Sequence, residues 1–219
     1  MRKSIKESLE LFLKHNDFNS IIRTVVKILV YAVILLSIFG ILSIDANKEG
    51  KIFKENSLTE WSQIILILLS SIIFFRSGKI DKSNSSLMKL FIGILSILFI
   101  REFDSLLDKY VFNGAWQILV YIIVFLLFLF SYKHRVDLLK SINEFVSNVS
   151  FGIIESGMLI LLVFSRLFGQ KIFWRSVMKE AYLRSVKDVA EESLELLGYC
   201  LIFIGSIEFL LLCKRKISR

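Results

Sequence analysis

The sequence predicts an all-α, polytopic integral membrane protein whose six transmembrane helices form a bundle. Hydrophobic residues make up 55% of the 219 positions and charged residues 22%, which is too apolar for an ordinary soluble domain. Six apolar runs approach the roughly 20 residues that a helix needs to cross a bilayer. None of these runs alternates polar and apolar residues as barrel strands do, and a helix satisfies its own backbone hydrogen bonds in lipid.

Each predicted span occupies one apolar run. In chain order the spans are residues 28–44, 58–75, 88–107, 116–130, 151–168 and 196–213. The apolar part of the third run, residues 87–100, covers only about 21 Å at 1.5 Å per residue, against a hydrocarbon core of roughly 30 Å. We therefore expect the third helix to continue through Leu107.

The predicted membrane domain, residues 28–213, lies between two basic ends. Residues 1–27 carry six Lys or Arg side chains and have the pattern of an amphipathic helix at the lipid headgroups, with a solvated basic tail as the alternative. Its apolar face consists of Ile5, Leu9, Phe12 and Leu13. Similar patterns predict amphipathic surface helices at 136–149 and 172–189. Residues 214–219 form a basic tail, and the formal net charge of +8 suits an anionic membrane surface.

Lysine and arginine counts predict that both termini lie in the cytoplasm. In that orientation the cytoplasmic segments carry 17 of these residues and the outside segments 11, in agreement with the positive-inside rule. Six of the outside residues lie in the loop before the last span and oppose the trend, but charges in long loops have less influence on the orientation of the protein. The usage of Ile and Lys and the short loops favour the inner membrane of a bacterium as the location.

Polar residues interrupt two of the predicted spans at one end. Glu60 and Gln63 lie on one face at the start of the second span, where a buried amide needs a partner on another helix. The third span ends in Arg101, Glu102 and Asp104. The spacing of Arg101 and Asp104 predicts an ion pair between them, with Glu102 about 100° further around the helix.

Acids also begin the last span, and small residues follow them. Gly198 and Gly205 continue the face of these acids as a stripe through which helices approach closely. The second span starts, the third ends and the sixth starts on the same side of the membrane. We therefore predict one extracytoplasmic binding pocket formed by Glu60, Gln63, Arg101, Glu102, Asp104, Glu191, Glu192 and Glu195.

A second polar pair is predicted toward the opposite side of the membrane. Glu155 lies near the start of the fifth span and Glu208 near the end of the sixth. Trp61, Trp116 and Trp174 fall at the edges of spans or loops, which is typical of anchoring at the membrane interface.

Local roles also account for several of these residues. Ser57 and Glu60 have the spacing of a capping box, and the acids at 191–195 suit the start of a helix. Capping does not account for Gln63 or Asp104, and this difference favours a shared polar site.

Three short motifs give the chain a resemblance to a group of membrane proteins. The motifs are Glu60-Trp61, Arg101-Glu102-x-Asp104 and Glu191-Glu192-x-x-Glu195-x-x-Gly198. As a series they resemble small polytopic proteins of the bacterial inner membrane, across most of the spans. The resemblance implies a membrane location and no particular activity.

The leading functional hypothesis is that the carboxylate-rich pocket, balanced by Arg101, binds a cation or a polar or cationic substrate. Its role would be transport, permeation or sensing. If a hard metal ion binds, its candidate ligands are Glu102, Asp104, Glu191 and Glu195. A proton is the alternative, and no other cofactor is expected.

Two other function classes stay open. An intramembrane enzyme acting on lipid or peptide would use two of the carboxylates as acid and base, no more than about 10 Å apart. The chain has no common hydrolase motif, so the sequence favours binding over catalysis and names no catalytic residue. A membrane anchor subunit would use the basic ends to dock a membrane or cytoplasmic partner protein. The lipid bilayer is the expected partner, a homo-oligomer stays open, and nucleic acid is not expected.

Overall fold

The computed structural model describes the backbone of residues 2–47 and 57–217, and side chains from residue 21 onward within those ranges. In this part of the chain every regular element is helical, which confirms the all-α class. Six of the helices are long and apolar enough to cross a membrane, with mean hydropathies of 1.6 to 2.7 in their most apolar windows. They indicate a multi-pass membrane protein.

The helices are numbered in chain order. Their bounds are α1 Arg2–Ala46, α2 Leu58–Ile80, α3 Ser85–Glu102, α4 Asp104–Tyr110, α5 Ala115–Lys133, α6 Arg135–Val146, α7 Val149–Leu159, α8 Ser165–Phe168, α9 Lys171–Met178 and α10 Arg184–Ile217. A π-helical turn, Ile160–Phe164, joins α7 to α8, and 3₁₀ turns occupy Lys82–Asn84 and Lys179–Ala181. Helices α6 and α9 lie where the sequence predicts surface helices.

The chain divides into two compact units, residues 1–39 and residues 40–219. The first unit is the larger part of α1, and its described side chains are largely exposed: Leu36 is 70% and Phe39 is 76% exposed. A helix that is apolar all round suits a membrane span. The predicted apolar face at 5–13 lies outside the residues whose side chains are described. The predicted boundaries after residues 27 and 213 stay predictions.

Helix α10 is the centre of the second unit. It packs against α2 and α7, while α3 packs against α2 and α5. Over its most apolar window 56% of α10 is buried, compared with 6% of α5. The core of this unit includes Ile67, Phe74, Leu161, Tyr199 and Phe209, each at most 1% exposed. Whether the first span joins these helices in one bundle stays a prediction.

Glycines bring α10 and α7 into close contact. A Cβ atom on Gly198 would lie 2.9 Å from the carbonyl oxygen of Gly157, and one on Gly205 would overlap Cγ1 of Ile154. Only residues without a side chain allow the two backbones to approach this closely. The glycine face predicted on the last span is therefore buried against α7.

The prediction that the third helix continues through Leu107 is wrong. Helix α3 ends at Glu102, Phe103 turns the chain, and α4 begins at Asp104. The span gains its length at the other end, because α3 begins at Ser85 and its 18 residues cover about 27 Å.

A cluster of ion pairs and hydrogen bonds lies in the second unit, at the C-terminal end of α2. Asp81 accepts hydrogen bonds from the backbone N–H of Ser83 at 3.0 Å and from Nδ2 of Asn84 at 2.8 Å. Nζ of Lys216 lies 3.4 Å from Oδ2 of Asp81 and 2.5 Å from Oε1 of Glu144. The cluster joins α2, α6 and α10, so Lys216 of the predicted basic tail has a structural role here.

Candidate functional site

A polar pocket of about 610 Å³ lies in the second unit, where α2, α5 and α10 begin and α3 and α8 end. Its lining residues are Ser57, Glu60, Gln63, Arg101, Glu102, Asp104, Ser105, Trp116, Arg166, Glu191, Glu192 and Glu195. All eight residues that the sequence places in one site are among them. Their role in binding stays a prediction.

Glu195 is the centre of the charge network in this pocket. The residue is 6% exposed. Its Oε1 atom lies 2.9 Å from Nη2 of Arg101 and 2.8 Å from Nη2 of Arg166. Oγ of Ser165, whose hydroxyl donates to the carbonyl oxygen of Leu161 at 2.6 Å, lies 3.4 Å from the same atom. A buried carboxylate needs such donors, because an unpaired charge away from water is costly. One oxygen thereby links α10 to α3 and α8.

Arg101 connects Glu195 to a second buried acid. Its Nη2 atom lies 3.1 Å from Oε1 of Glu102, and the hydroxyl of Tyr199 donates to the same oxygen at 2.6 Å. One nitrogen thus lies 3.1 Å and 2.9 Å from the two acids, so their Oε1 atoms are no further apart than the sum of these distances, 6.0 Å.

The predicted ion pair between Arg101 and Asp104 is wrong. Among the described residues, Arg101 forms its ion pairs with Glu102 and Glu195. The spacing argument assumed one continuous helix, whereas α3 ends at Glu102 and the chain turns before Asp104. The last turn of α3 instead contacts Glu195 and Tyr199 on α10, and these contacts replace the predicted local pair.

Gln63 and Glu192 form a second polar contact in the wall. Gln63 is fully buried, and its Nε2 donates to Oε2 of Glu192 at 2.9 Å, as the need for a partner on another helix predicts. Oε1 of Gln63 has no hydrogen-bond partner in the part of the chain that the structure describes. Within that part Glu192 also has no ion-pair partner. The amide oxygen of Gln63 and the carboxylate of Glu192 are thus two neighbouring acceptors without a cation.

Glu191 is neutralised by two bases on opposite sides. Nη1 of Arg166 lies 3.4 Å from its Oε1, and Nζ of Lys187 lies 2.9 Å from its Oε2. A Cβ atom on Gly169 would lie 2.6 Å from Cδ of Glu191, so the end of α8 lies directly against this carboxylate.

The start of α2 is capped twice. Oγ of Ser57 accepts from the backbone N–H of Glu60 at 3.1 Å, which agrees with the capping pattern in the sequence. Asp45, in the last turn of α1 and 2% exposed, accepts from the backbone N–H groups of Leu58 at 3.1 Å and Thr59 at 2.7 Å. The hydroxyl of Thr59 also donates to Asp45, at 2.7 Å. Sequence reasoning missed Asp45, whose only signal is an acid directly after an apolar run.

Three further lining residues complete the outline of the pocket. Asp104 is exposed and accepts from the backbone N–H of Ser105. Trp116 lines the pocket, although the sequence predicted only an interface anchor. Arg166 was missed and was counted only as a loop charge. Its position at the end of the fifth span, on the same side as the acids, is the signal that could have found it.

The remaining predicted residues lie elsewhere. Glu155 is exposed on α7 and Glu208 is half-buried on α10, and neither lines the pocket. Their pairing stays a prediction. In residues 21–47 and 57–217, whose side chains the structure describes, no three Asp, Glu, His or Cys side chains stand close enough to hold a metal ion. The four predicted metal ligands therefore line one pocket without forming such a group.

Comparison with known proteins identifies no relative: no protein-family model, no curated protein and no solved structure matches the chain. The resemblance of the three motifs to small polytopic inner-membrane proteins therefore stays a prediction. Any function has to be argued from the chemistry of the pocket.

Proposed function

We propose that the pocket binds a polyatomic cation with N–H donors, such as an organic ammonium, as the recognition step of transport, permeation or sensing at a membrane. Six carboxylates and two guanidinium groups line the pocket. With Glu60 left aside, the other five acids still outnumber the three described bases, Arg101, Arg166 and Lys187, the last of which pairs with Glu191 from outside the lining. An excess of one sign in a concave site attracts ligands of the opposite charge.

The observation that carries this proposal is the contact between Gln63 and Glu192. A carboxylate without a cation partner in the described chain stands beside a buried amide oxygen without a donor. Both groups accept hydrogen bonds, and buried acceptors are nearly always satisfied in folded proteins. An ammonium group supplies the positive charge and several N–H donors at once.

The size of the pocket favours a polyatomic ligand over a bare metal ion. Its volume of about 610 Å³ is typical of pockets for small molecules. A metal ion would need several oxygens converging at about 2.0 to 2.6 Å. Arg101 instead stands between Glu102 and Glu195 and neutralises the acids that would converge there.

Thermal unfolding of the full chain in detergent tests the proposal. We expect ethylammonium chloride to raise the melting temperature, because a ligand that binds only the folded state stabilises it. Glu192→Gln should weaken the apparent affinity about tenfold or more, since hydrogen bonds to charged groups contribute about 1.5–3 kcal/mol. Glu155→Gln makes the same chemical change on an exposed residue outside the pocket and should respond like the wild type.

Sodium chloride at equal ionic strength separates binding from screening of charge. An equal response of Glu192→Gln and the wild type would contradict the proposal, as would the absence of an ethylammonium effect beyond that of sodium.

A second candidate is an acid–base enzyme acting on lipid or peptide. Oε1 of Glu102 and Oε1 of Glu195 are at most 6.0 Å apart, which meets the distance condition for paired carboxylates. The guanidinium of Arg101 between them favours two negative charges, whereas a general acid must hold a proton. Cleavage of a fluorescent peptide or lipid that is lost in Glu195→Gln would favour this candidate over binding alone.

A further inference from the structure

An apolar groove of about 360 Å³ lies along the α3–α4 turn. Its lining includes Phe99, Ile100, Phe103, Leu106, Leu107 and Leu119. The surface that these described residues present to the groove consists of carbon atoms. The groove therefore offers no hydrogen bond and suits an alkyl chain.

The groove and the polar pocket are lined by neighbouring residues of the same helices, although no described residue lines both. At the α3–α4 turn Arg101 and Asp104 line the pocket, while Phe103 between them lines the groove. Helix α5 contributes Trp116 to the pocket and Leu119 to the groove. These two residues are three positions apart and lie on neighbouring points of one helix face. On α5 the lining residues of the two cavities are therefore only about 5–6 Å apart at their Cβ atoms.

The two cavities have complementary chemistry. One has an excess of carboxylates, and the other is apolar and belongs to helices whose composition suits a membrane. A molecule that fills both has a cationic head and an apolar tail. We infer that the ligand is an amphiphile with an ammonium headgroup in the pocket and a single alkyl chain in the groove. This inference rests on the function proposed for the pocket.

Binding of a series of alkylammonium chlorides to the detergent-solubilised full chain tests the inference. The probes are ethyl-, butyl- and hexylammonium, at one fixed detergent concentration so that partition into micelles is the same for every variant. Burial of a CH₂ group contributes about 0.8 kcal/mol, or roughly fourfold in affinity, which sets the upper limit of the gain per carbon. We expect affinity to rise along the series in the wild type.

Two tryptophan substitutions on α5 provide the matched comparison. Leu119→Trp fills the groove, so the gain with chain length should fall while ethylammonium binds as before. Leu129→Trp places the same bulk on α5 outside the groove, at a residue that is 47% exposed, and should keep the wild-type gain. Hexanol, which has the same chain without the charge, should bind much more weakly than hexylammonium.

The outcomes separate this inference from the proposed function. If ethylammonium binds through Glu192 but chain length has no effect, the amphiphile is wrong and the cation pocket stands. The same conclusion follows if Leu119→Trp keeps the full gain, or if its only effect is on the oligomeric state, which would make the groove an interface between copies. If ethylammonium does not bind, both ideas fail together.

Discussion

Arg101 and Glu195 form an ion pair of 2.9 Å between the last turn of α3 and the buried part of α10. The side chains are 20% and 7% exposed, so both charges are largely removed from water although they line the pocket. Removing one partner of a buried ion pair costs more free energy of unfolding than the intact pair contributes, because the remaining charge stays buried. Replacing only one of these two residues should therefore destabilise the fold around the pocket.

Arg101→Gln should destabilise the fold by about 3 kcal/mol or more, because it leaves the carboxylates of Glu102 and Glu195 without this guanidinium. Adding Glu195→Gln should recover part of the loss, which a double-mutant cycle of unfolding free energies would measure. Arg76→Gln, at an exposed position of α2, should change stability by less than about 0.5 kcal/mol. A cycle with no coupling would show that the ion pair has no energetic role.

Gly198→Ala should destabilise the protein by about 1–3 kcal/mol, because its new Cβ would lie 2.9 Å from the backbone oxygen of Gly157. Gly152→Ala on α7 meets no heavy atom within 4 Å and should be neutral or slightly stabilising, since alanine favours a helix. Thermal unfolding of both variants in one detergent checks the difference. Equal melting temperatures would mean that the helices can move apart at no cost.

Asp81 should make stability depend on acid pH. Burial raises the pKa of this carboxyl, but the hydrogen bonds from Ser83 and Asn84 and the charge of Lys216 bring it below its ordinary value. A lowered pKa in the folded state stabilises the fold above the unfolded pKa, near 4, and this contribution is lost as the pH falls through the folded pKa.

Unfolding measured between pH 2 and 6 checks this dependence. Asp81→Asn should flatten the acid limb of the stability curve, whereas Asp137→Asn, at a side chain that is 69% exposed, should leave it unchanged. An unchanged acid limb in Asp81→Asn would assign the dependence to other carboxylates.

Asp45→Ala should destabilise the start of α2 by about 1–3 kcal/mol, because the backbone N–H groups of Leu58 and Thr59 lose their buried acceptor. Asp45→Asn keeps one acceptor oxygen and should cost less. Hydrogen exchange of these two amides gives the direct readout, and unchanged protection in Asp45→Ala would show that another group caps the helix.

The eight residues that the sequence groups together line one pocket, and six apolar runs predict this grouping because they predict which helix ends share a side of the membrane. That argument needs no packing detail, so Gln63, Arg101 and Glu195 could be grouped from their positions alone. It could not identify the partners of Arg101, because they depend on how the last turn of α3 packs against α10. The same argument covers Arg166, which ends the fifth span on the side of the acids, but nothing in a hydropathy pattern shows the widened helical turn that precedes it.

That widened turn, Ile160–Phe164, has the N–H of Ser165 donating to the carbonyl of Ile160, five residues earlier. It accommodates one more residue than an α-helical turn, and Arg166 is the second residue after its end. Deleting a residue there would restore the ordinary pitch and swing the guanidinium by roughly 100° about the helix axis. The loss of one aliphatic or aromatic residue would then change which acids pair with Arg166, although no residue that lines the pocket had been replaced.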